Sequence, residues 1–260
     1  MKLFDSHCHL DDRTFAQDLE NTIQSARDVG VFEMMTVGVG LKSSLRTLDL
    51  AESHDGLYAS VGVHPHDAQS CNDTVMNELS RLAEHDKVRA WGETGLDFNR
   101  MYSPRKDQEL WFIRQVLEAD NLGLPLIFHE RDSQGRFLEI LQAHPNAQRN
   151  GVVHCFSGNE ADLSAYLDLG FYIGITGILT IKTRGAGLRG LVPKIPMDRL
   201  LIETDAPYLT PAPQKNKTRR NEPAFVKSVL LKLAEVRQEG PETLAAATTA
   251  NARRLFNINT

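Results

Sequence analysis

Apolar residues recur along the chain in two alternating rhythms. Short runs rich in β-branched and aromatic residues, at 3–7, 31–39, 57–63, 88–93, 125–129, 151–154, 171–176 and 199–203, predict eight strands. Between them apolar positions return every three or four residues, the spacing of one helical face. Over 14–29 that face is Phe15, Leu19, Ile23 and Ala26, and Gly30 stops the helix. Ser103 and Pro104 read as the N-cap and first position of a helix with a buried stripe of Leu110, Ile113 and Leu117, ending at Gly123. A helix over 221–236 opens on a cap and a proline and repeats Phe225, Val229 and Leu233; a last helix spans about 241–255. Eight strands, each followed by a helix, in 260 residues predict a parallel (β/α)8 TIM barrel forming a single domain over 1–260. An open doubly wound sheet would show the same alternation, so the placement of the polar residues has to separate the two.

That placement favours the barrel, whose functional groups sit at the carboxyl ends of the strands. The first strand runs into Asp5, His7 and His9, and the third into His64, His66 and Asp67. The fourth runs into Glu93 and Asp97, and the fifth into His129, Arg131 and Asp132. His154 closes the sixth, and Glu203 and Asp205 follow the eighth. One histidine at a strand end means little, since a hydrogen-bonded loop residue explains it. Six strands ending in His, Glu or Asp form a different pattern, because such groups are costly to bury unless something shared neutralises them. A divalent cation does so. Side chains alternate along a strand, so His7 and His9 share a face and Cys8 takes the opposite one. By the same spacing Glu203 and Asp205 are expected to share a face.

Imidazole and carboxylate without thiolate suit Zn²⁺, Mn²⁺ or Mg²⁺. The candidate ligands outnumber what one tetrahedral ion takes, so two ions per chain are expected, with Glu93 as the candidate bridge. The formal net charge of −5 argues against a protein that wraps duplex DNA with a broad basic face, but not against a nuclease whose ions supply the positive charge. Three cysteines, Cys8, Cys71 and Cys155, lack CxxC spacing and fit a reducing compartment. The N-terminus has no apolar signal core and the longest uncharged stretch, 170–181, is too short to span a bilayer. These features predict a soluble cytoplasmic protein, with a monomer as the default state.

The segments SHCHL, GVHPHD, GETGLDFNR, FHERD, VVHCFSG, GFYIGITG and IETDAPYL, with RRNEP and the TTANARRLF tail, together resemble the TatD family of hydrolases. They run in family order from residue 5 to 256 and so cover nearly the whole chain. HxH alone would be weak, being shared by many amidohydrolase-like barrels. The resemblance implies a metal-dependent deoxyribonuclease with ligands at His7, His9, Glu93, His129, His154 and Asp205. Some members lack the first HxH pair, which this chain keeps. The resemblance further implies 3′–5′ exonuclease action on single-stranded DNA, with RNA as a second substrate, in DNA repair or degradation.

Asp205 and Glu93 are the catalytic candidates, Asp205 as ligand and acceptor of a proton from water. His64, Arg131, Glu203, Arg219 and Arg220 are candidate substrate contacts, the arginines through phosphates. Glu203 has the alternative of orienting a ligand histidine. Asp97 and Phe98 are placed along the groove, where the phenyl ring could stack a base. Two other readings compete. A small-amide or lactone hydrolase on the same barrel often carries a carbamylated lysine on strand four, where this chain has Glu93. A nucleic-acid-binding scaffold with a vestigial site would have little reason to keep so complete a ligand set.

Overall fold

A computed structural model of the chain describes residues 1–258. Its eight strands are β1 (Leu3–Cys8), β2 (Val31–Val37), β3 (Leu57–Val61), β4 (Val88–Asp97), β5 (Leu126–Arg131), β6 (Gly151–Val153), β7 (Tyr172–Ile175) and β8 (Leu200–Ile202). They lie in one sheet in chain order. The helices are α1 (Leu19–Asp28), α2 (Leu41–Ser53), α3 (Asp73–Ala83), α4 (Arg105–Leu122), α5 (Arg136–Ala143), α6 (Glu160–Asp168), α7 (Ala186–Leu191), α8 (Val226–Arg237) and α9 (Pro241–Leu255). This is the (β/α)8 TIM-barrel pattern that the alternation predicts, and each expected strand is present.

Residues pack as two compact units, Met1–Thr36 with Cys155–Arg254, and Val37–His154 with Leu255–Ile258. In the first, β1 pairs with β2 and β7 with β8, all parallel. Asp5 ties the start of the chain to the segment after β8: its carboxylate accepts bonds from Thr204 N (2.8 Å) and Thr204 Oγ1 (2.6 Å). Asn221 is fully buried and donates to the carbonyls of Thr204 and Tyr208. It therefore pins the segment after β8 instead of capping a helix at 221, and α8 starts only at Val226, after a 3-10 turn at Pro223–Phe225. Val229 and Leu233 are buried as the periodicity requires.

In the second unit, β3 to β6 pair in parallel. Two sequence expectations fail here, each for a physical reason. First, β4 does not end at Glu93 but continues to Asp97, with Gly95 opposite His129 and Asp97 opposite Arg131. Gly95 permits this at φ +150, and a Cβ there would run into the His129 carbonyl.

Second, Leu110 and Leu117 do not face the core of α4; they are 50% and 43% exposed. The buried face holds Gln108, Trp111, Phe112, Gln115, Val116 and Ala119. Gln115 Oε1 accepts from Val63 N (2.7 Å) and Trp91 Nε1 (3.2 Å), and its Nε2 donates to Val63 O (3.0 Å). Gln108 does the same for Asp97, accepting from its N (2.8 Å) and donating to its carbonyl (3.1 Å). Buried amides that complete a neighbour's backbone hydrogen bonds outweigh the aliphatic stripe, because unmet buried donors and acceptors are expensive. Phe112, Phe128 and Phe137 fill the space beside them, with ring centroids 5.1–6.1 Å apart.

Replacing Gln115 by leucine keeps the volume but strands three buried polar groups. We expect a loss of about 2–4 kcal/mol of stability, read as a lower urea midpoint at unchanged slope.

Candidate metal centre

β1 carries the first ligand set. Its alternation works as expected: the Cys8 thiol turns away to Met35 O (3.4 Å), while His7 Nε2 and His9 Nε2 point together, 3.2 Å apart. Asp205 Oδ1 lies 3.3 Å from His9 Nε2 and 3.8 Å from His7 Nε2. Backbone bonds fix this register, since Asp205 N donates to His7 O (2.9 Å) and His9 N to Ala206 O (2.8 Å). Asp205 adopts φ +60, a left-handed conformation that aspartate tolerates and that swings its carboxylate out of the strand direction.

This turn also undoes one expectation. β8 ends at Ile202, so alternation does not carry through Glu203 to Asp205. Glu203 is fully buried and accepts from Cys155 N and from Ser6 Oγ (3.4 Å). Those bonds make it a brace between Ser6 on β1, the Cys155 backbone and the end of β8. Burial pushes the Asp5 carboxyl, which holds Thr204 beside it, up to about 8, against the opposing pull of its bonds to Thr204.

The second set stands on β4 and β5 and on residues that follow β3 and β6. Glu93 Oε1 is 2.8 Å from His129 Nδ1, 3.5 Å from His64 Nε2 and 3.8 Å from His154 Nε2. His64 Nε2 and His129 Nδ1 are 3.1 Å apart. His64 is buried and sits among the ligand candidates Glu93 and His129. Its Nδ1 accepts from His66 N, which orients Nε2 inward.

Asp97 organises this set. Its Oδ2 receives His66 Nε2 (2.8 Å) and His129 Nε2 (3.2 Å), while Oδ1 accepts from Asn99 N and Arg100 N. A carboxylate that takes one ring N–H of an imidazole fixes its tautomer and aims the other nitrogen at a cation. The sequence places Asp97 on the groove but hides this role, because the role requires β4 to extend past Glu93. Burial opposes charge on His129, yet its bonds to Asp97 and Glu93 dominate and raise its pKa to about 9. Burial lowers His64 to about 4. Glu93 is held well below the usual carboxylate range by the imidazoles of His64, His154 and His129, which outweigh burial.

Both sets fit a divalent ion. Ligands about 2.0–2.1 Å from a tetrahedral metal lie roughly 3.4 Å from one another. The His7, His9 and Asp205 atoms are spaced by 3.2–3.8 Å, and the His64, Glu93 and His129 atoms by 2.8–3.5 Å. Lone pairs converging at these distances in a dry site repel unless a cation or a proton lies between them.

The basic candidates separate. Arg131 closes β5 two residues after His129, on the same strand face, and is half-buried. Arg219 is exposed, as are Lys215 and Lys217. Arg220 is instead committed: it forks onto Asp18 (2.9 and 2.7 Å), meets Glu222 (2.9 Å) and covers the Phe15 ring at 5.0 Å. Those bonds make Arg220 a strut under the loop. Phe98 is likewise covered, by the Arg105 guanidinium at 4.3 Å. No cysteine among the described residues forms a disulfide, and none of their helices is long and apolar enough to cross a membrane.

Comparison with known proteins agrees over the full length. The family model described as TatD related DNase matches residues 4–257. A protein of Klebsiella pneumoniae named 3′-5′ ssDNA/RNA exonuclease TatD is 40% identical over 259 residues, covering 99% of this chain and 98% of its own. One of the same name from Cronobacter sakazakii is 42% identical, with 99% and 98% covered. Among solved structures, a TatD homolog from Escherichia coli K12 superposes with a TM-score of 0.91 at 31% identity, covering 99% of this chain and 98% of that one. A TatD-family hydrolase from Entamoeba histolytica shares the fold, with a TM-score of 0.87 at 24% identity and 98% of each chain covered.

Asp97→Asn tests the orienting role. The amide cannot accept two ring N–H groups as a carboxylate does, so affinity for Mn²⁺ or Zn²⁺ in the second set should fall about 10–100-fold. Titration calorimetry against the parent chain checks this, and unchanged affinity would remove Asp97 from the site.

Proposed function

Because the chain belongs to the family of TatD related DNases, we propose that it is a metal-dependent 3′–5′ exonuclease of single-stranded DNA and RNA, with residues 1–260 acting as one catalytic domain. The observation that carries the reading is the convergence of imidazole and carboxylate atoms at metal-ligand spacing in a chain matching nucleases of that name end to end.

In this reading His7, His9 and Asp205 hold one divalent ion, and Glu93, His129 and His154 hold a second, with His64 beside them. The imidazole and carboxylate donors suit Zn²⁺ and Mn²⁺, and the carboxylates also admit Mg²⁺. When bound, such ions polarise the phosphoryl oxygens and lower the pKa of a coordinated water. The protein's own groups do the rest. Asp205 ligates and takes the proton from the attacking water, its carboxylate aimed by the left-handed turn at φ +60. Glu93 keeps its negative charge deep in the site because imidazoles surround it, so it is a ligand that stays deprotonated. Asp97 holds His129 in one tautomer, and Glu203 braces the strand ends. Arg131 and Arg219 meet the phosphates that lie along the strand. With a net charge of −5, the chain relies on bound cations and these few arginines, not on a broad basic face, to hold a polyanion.

Digestion of 5′- and 3′-labelled single strands, with and without chelator, tests the reading. Cleavage should shorten the strand from its 3′ end, stop with chelator and return with divalent metal. Endonucleolytic ladders, or turnover that survives chelation, would refute it. Asp205→Asn should lower kcat at least 100-fold, about 2.7 kcal/mol at the barrier, with metal occupancy measured in the same sample. Full activity at full occupancy would leave Asp205 no role in proton transfer.

A further inference from the structure

The connection from β4 to α4 holds a side chain that the chemistry above does not use. Tyr102 is 64% exposed, more than any other large apolar side chain among the described residues. It does not sit on a loose loop. On one side, Asp97 Oδ1 accepts from Asn99 N (3.0 Å) and Arg100 N (2.8 Å). On the other, Ser103 is fully buried: its Oγ donates to His66 O (2.7 Å) and accepts from Gln69 N (2.9 Å), and its carbonyl accepts from Gln108 Nε2 (2.8 Å). The backbone is thus fixed on both flanks while the ring is left in solvent. Met101, at φ +53, makes the turn that lifts it there.

The ring also packs against His66, a neighbour of the ligand candidates His64 and His129. Tyr102 meets His66 edge to face, with centroids 4.7 Å apart and planes at 78°. His66 in turn lies 4.2 Å from His64 and 6.0 Å from His129. Arg100 and Arg105 flank Tyr102 in sequence and are exposed. Phe98, the aromatic residue expected to stack a base, is covered by Arg105, so the open aromatic surface on this loop is that of Tyr102.

We propose that Tyr102 is a stacking platform for one unpaired nucleobase of the substrate strand, next to the nucleotide being cleaved, and that it contributes the preference for single strands. The proposal rests on the reading that the substrate is a nucleic acid. Every base has a π-face, so stacking is tolerant of sequence. In a duplex both faces of an internal base are covered by its neighbours, and only a single strand or a frayed end can offer one to the tyrosine. A platform rigidly held before the ligand takes its place loses little entropy on binding, since an aromatic ring has few torsions to fix.

The test is fluorescence anisotropy with a dye-labelled phosphorothioate oligothymidylate, which resists cleavage, and an abasic strand of equal length and linkage, with Mn²⁺ present so that the bound cations still hold the strand. Base–aromatic stacking of about 1–3 kcal/mol corresponds to roughly 5–150-fold in affinity. Tyr102→Ala should weaken binding of the oligothymidylate within that range and of the abasic strand less than about twofold. Tyr102→Phe and Tyr102→Trp should keep the parent affinity for both, since a ring and not a hydroxyl is required. Equal loss on both strands, no loss on either, a phenylalanine variant as weak as alanine, or a parent that does not discriminate the strands would each overturn the proposal. Digestion of an unmodified oligothymidylate by the parent with the same metal reports separately on the nuclease reading, so either can fail alone.

Discussion

The carboxylate of Asp97 is the point on which the second ligand set turns. It takes ring N–H groups from His129 and His66 with one oxygen and two loop amides with the other. Its own backbone is held by Gln108 from α4. A buried carboxylate with this many donors stays charged, and Asp97 is held far below the ordinary aspartate range by those bonds. That fixed charge lets His129 present Nδ1 toward Glu93 and His64, where a cation can sit. Chemistry on β4 and β5 thus depends on a side-chain amide from the helix behind them.

The first ligand set is built by a different device. Here backbone bonds lock the β1 end to the segment after β8. His7 and His9 gain their geometry from strand alternation, and Asp205 from a left-handed turn that the Asp5–Thr204 bonds hold in place. Set one therefore follows from local periodicity plus one turn, and set two from cross-element hydrogen bonds. Substitutions around β1 should act mostly through register, and those around α4 through the polarity of buried groups.

Two residues illustrate how exposed and committed groups exchange roles. Arg220 sits in a basic run that suggests phosphate, but Asp18, Glu222 and the Phe15 ring occupy it. Tyr102 sits in a turn that suggests nothing, yet its ring is presented beside His66 on a backbone pinned at both flanks. A charged side chain finds counter-charges wherever the chain brings them near, so sequence overstates its availability. An aromatic ring held on a rigid turn beside His66 presents a π-face that an unpaired base can cover.

The strand–helix alternation, all eight strands and the polar character of their ends were legible in the chain, because period-2 and period-3.6 patterns are local properties. The pairing of His7 with His9, and the turning away of Cys8, followed from the same alternation. Tertiary structure alone decided the rest. It carried β4 through Gly95 to Asp97, since only the close approach of His129's backbone explains that glycine. It buried Gln108 and Gln115 in place of Leu110 and Leu117, since the unmet amides of Val63 and Asp97 become visible only when strands and helix meet. Sequence periodicity encodes which face is apolar; which buried polar group must be satisfied, and by whom, is settled by neighbours distant along the chain.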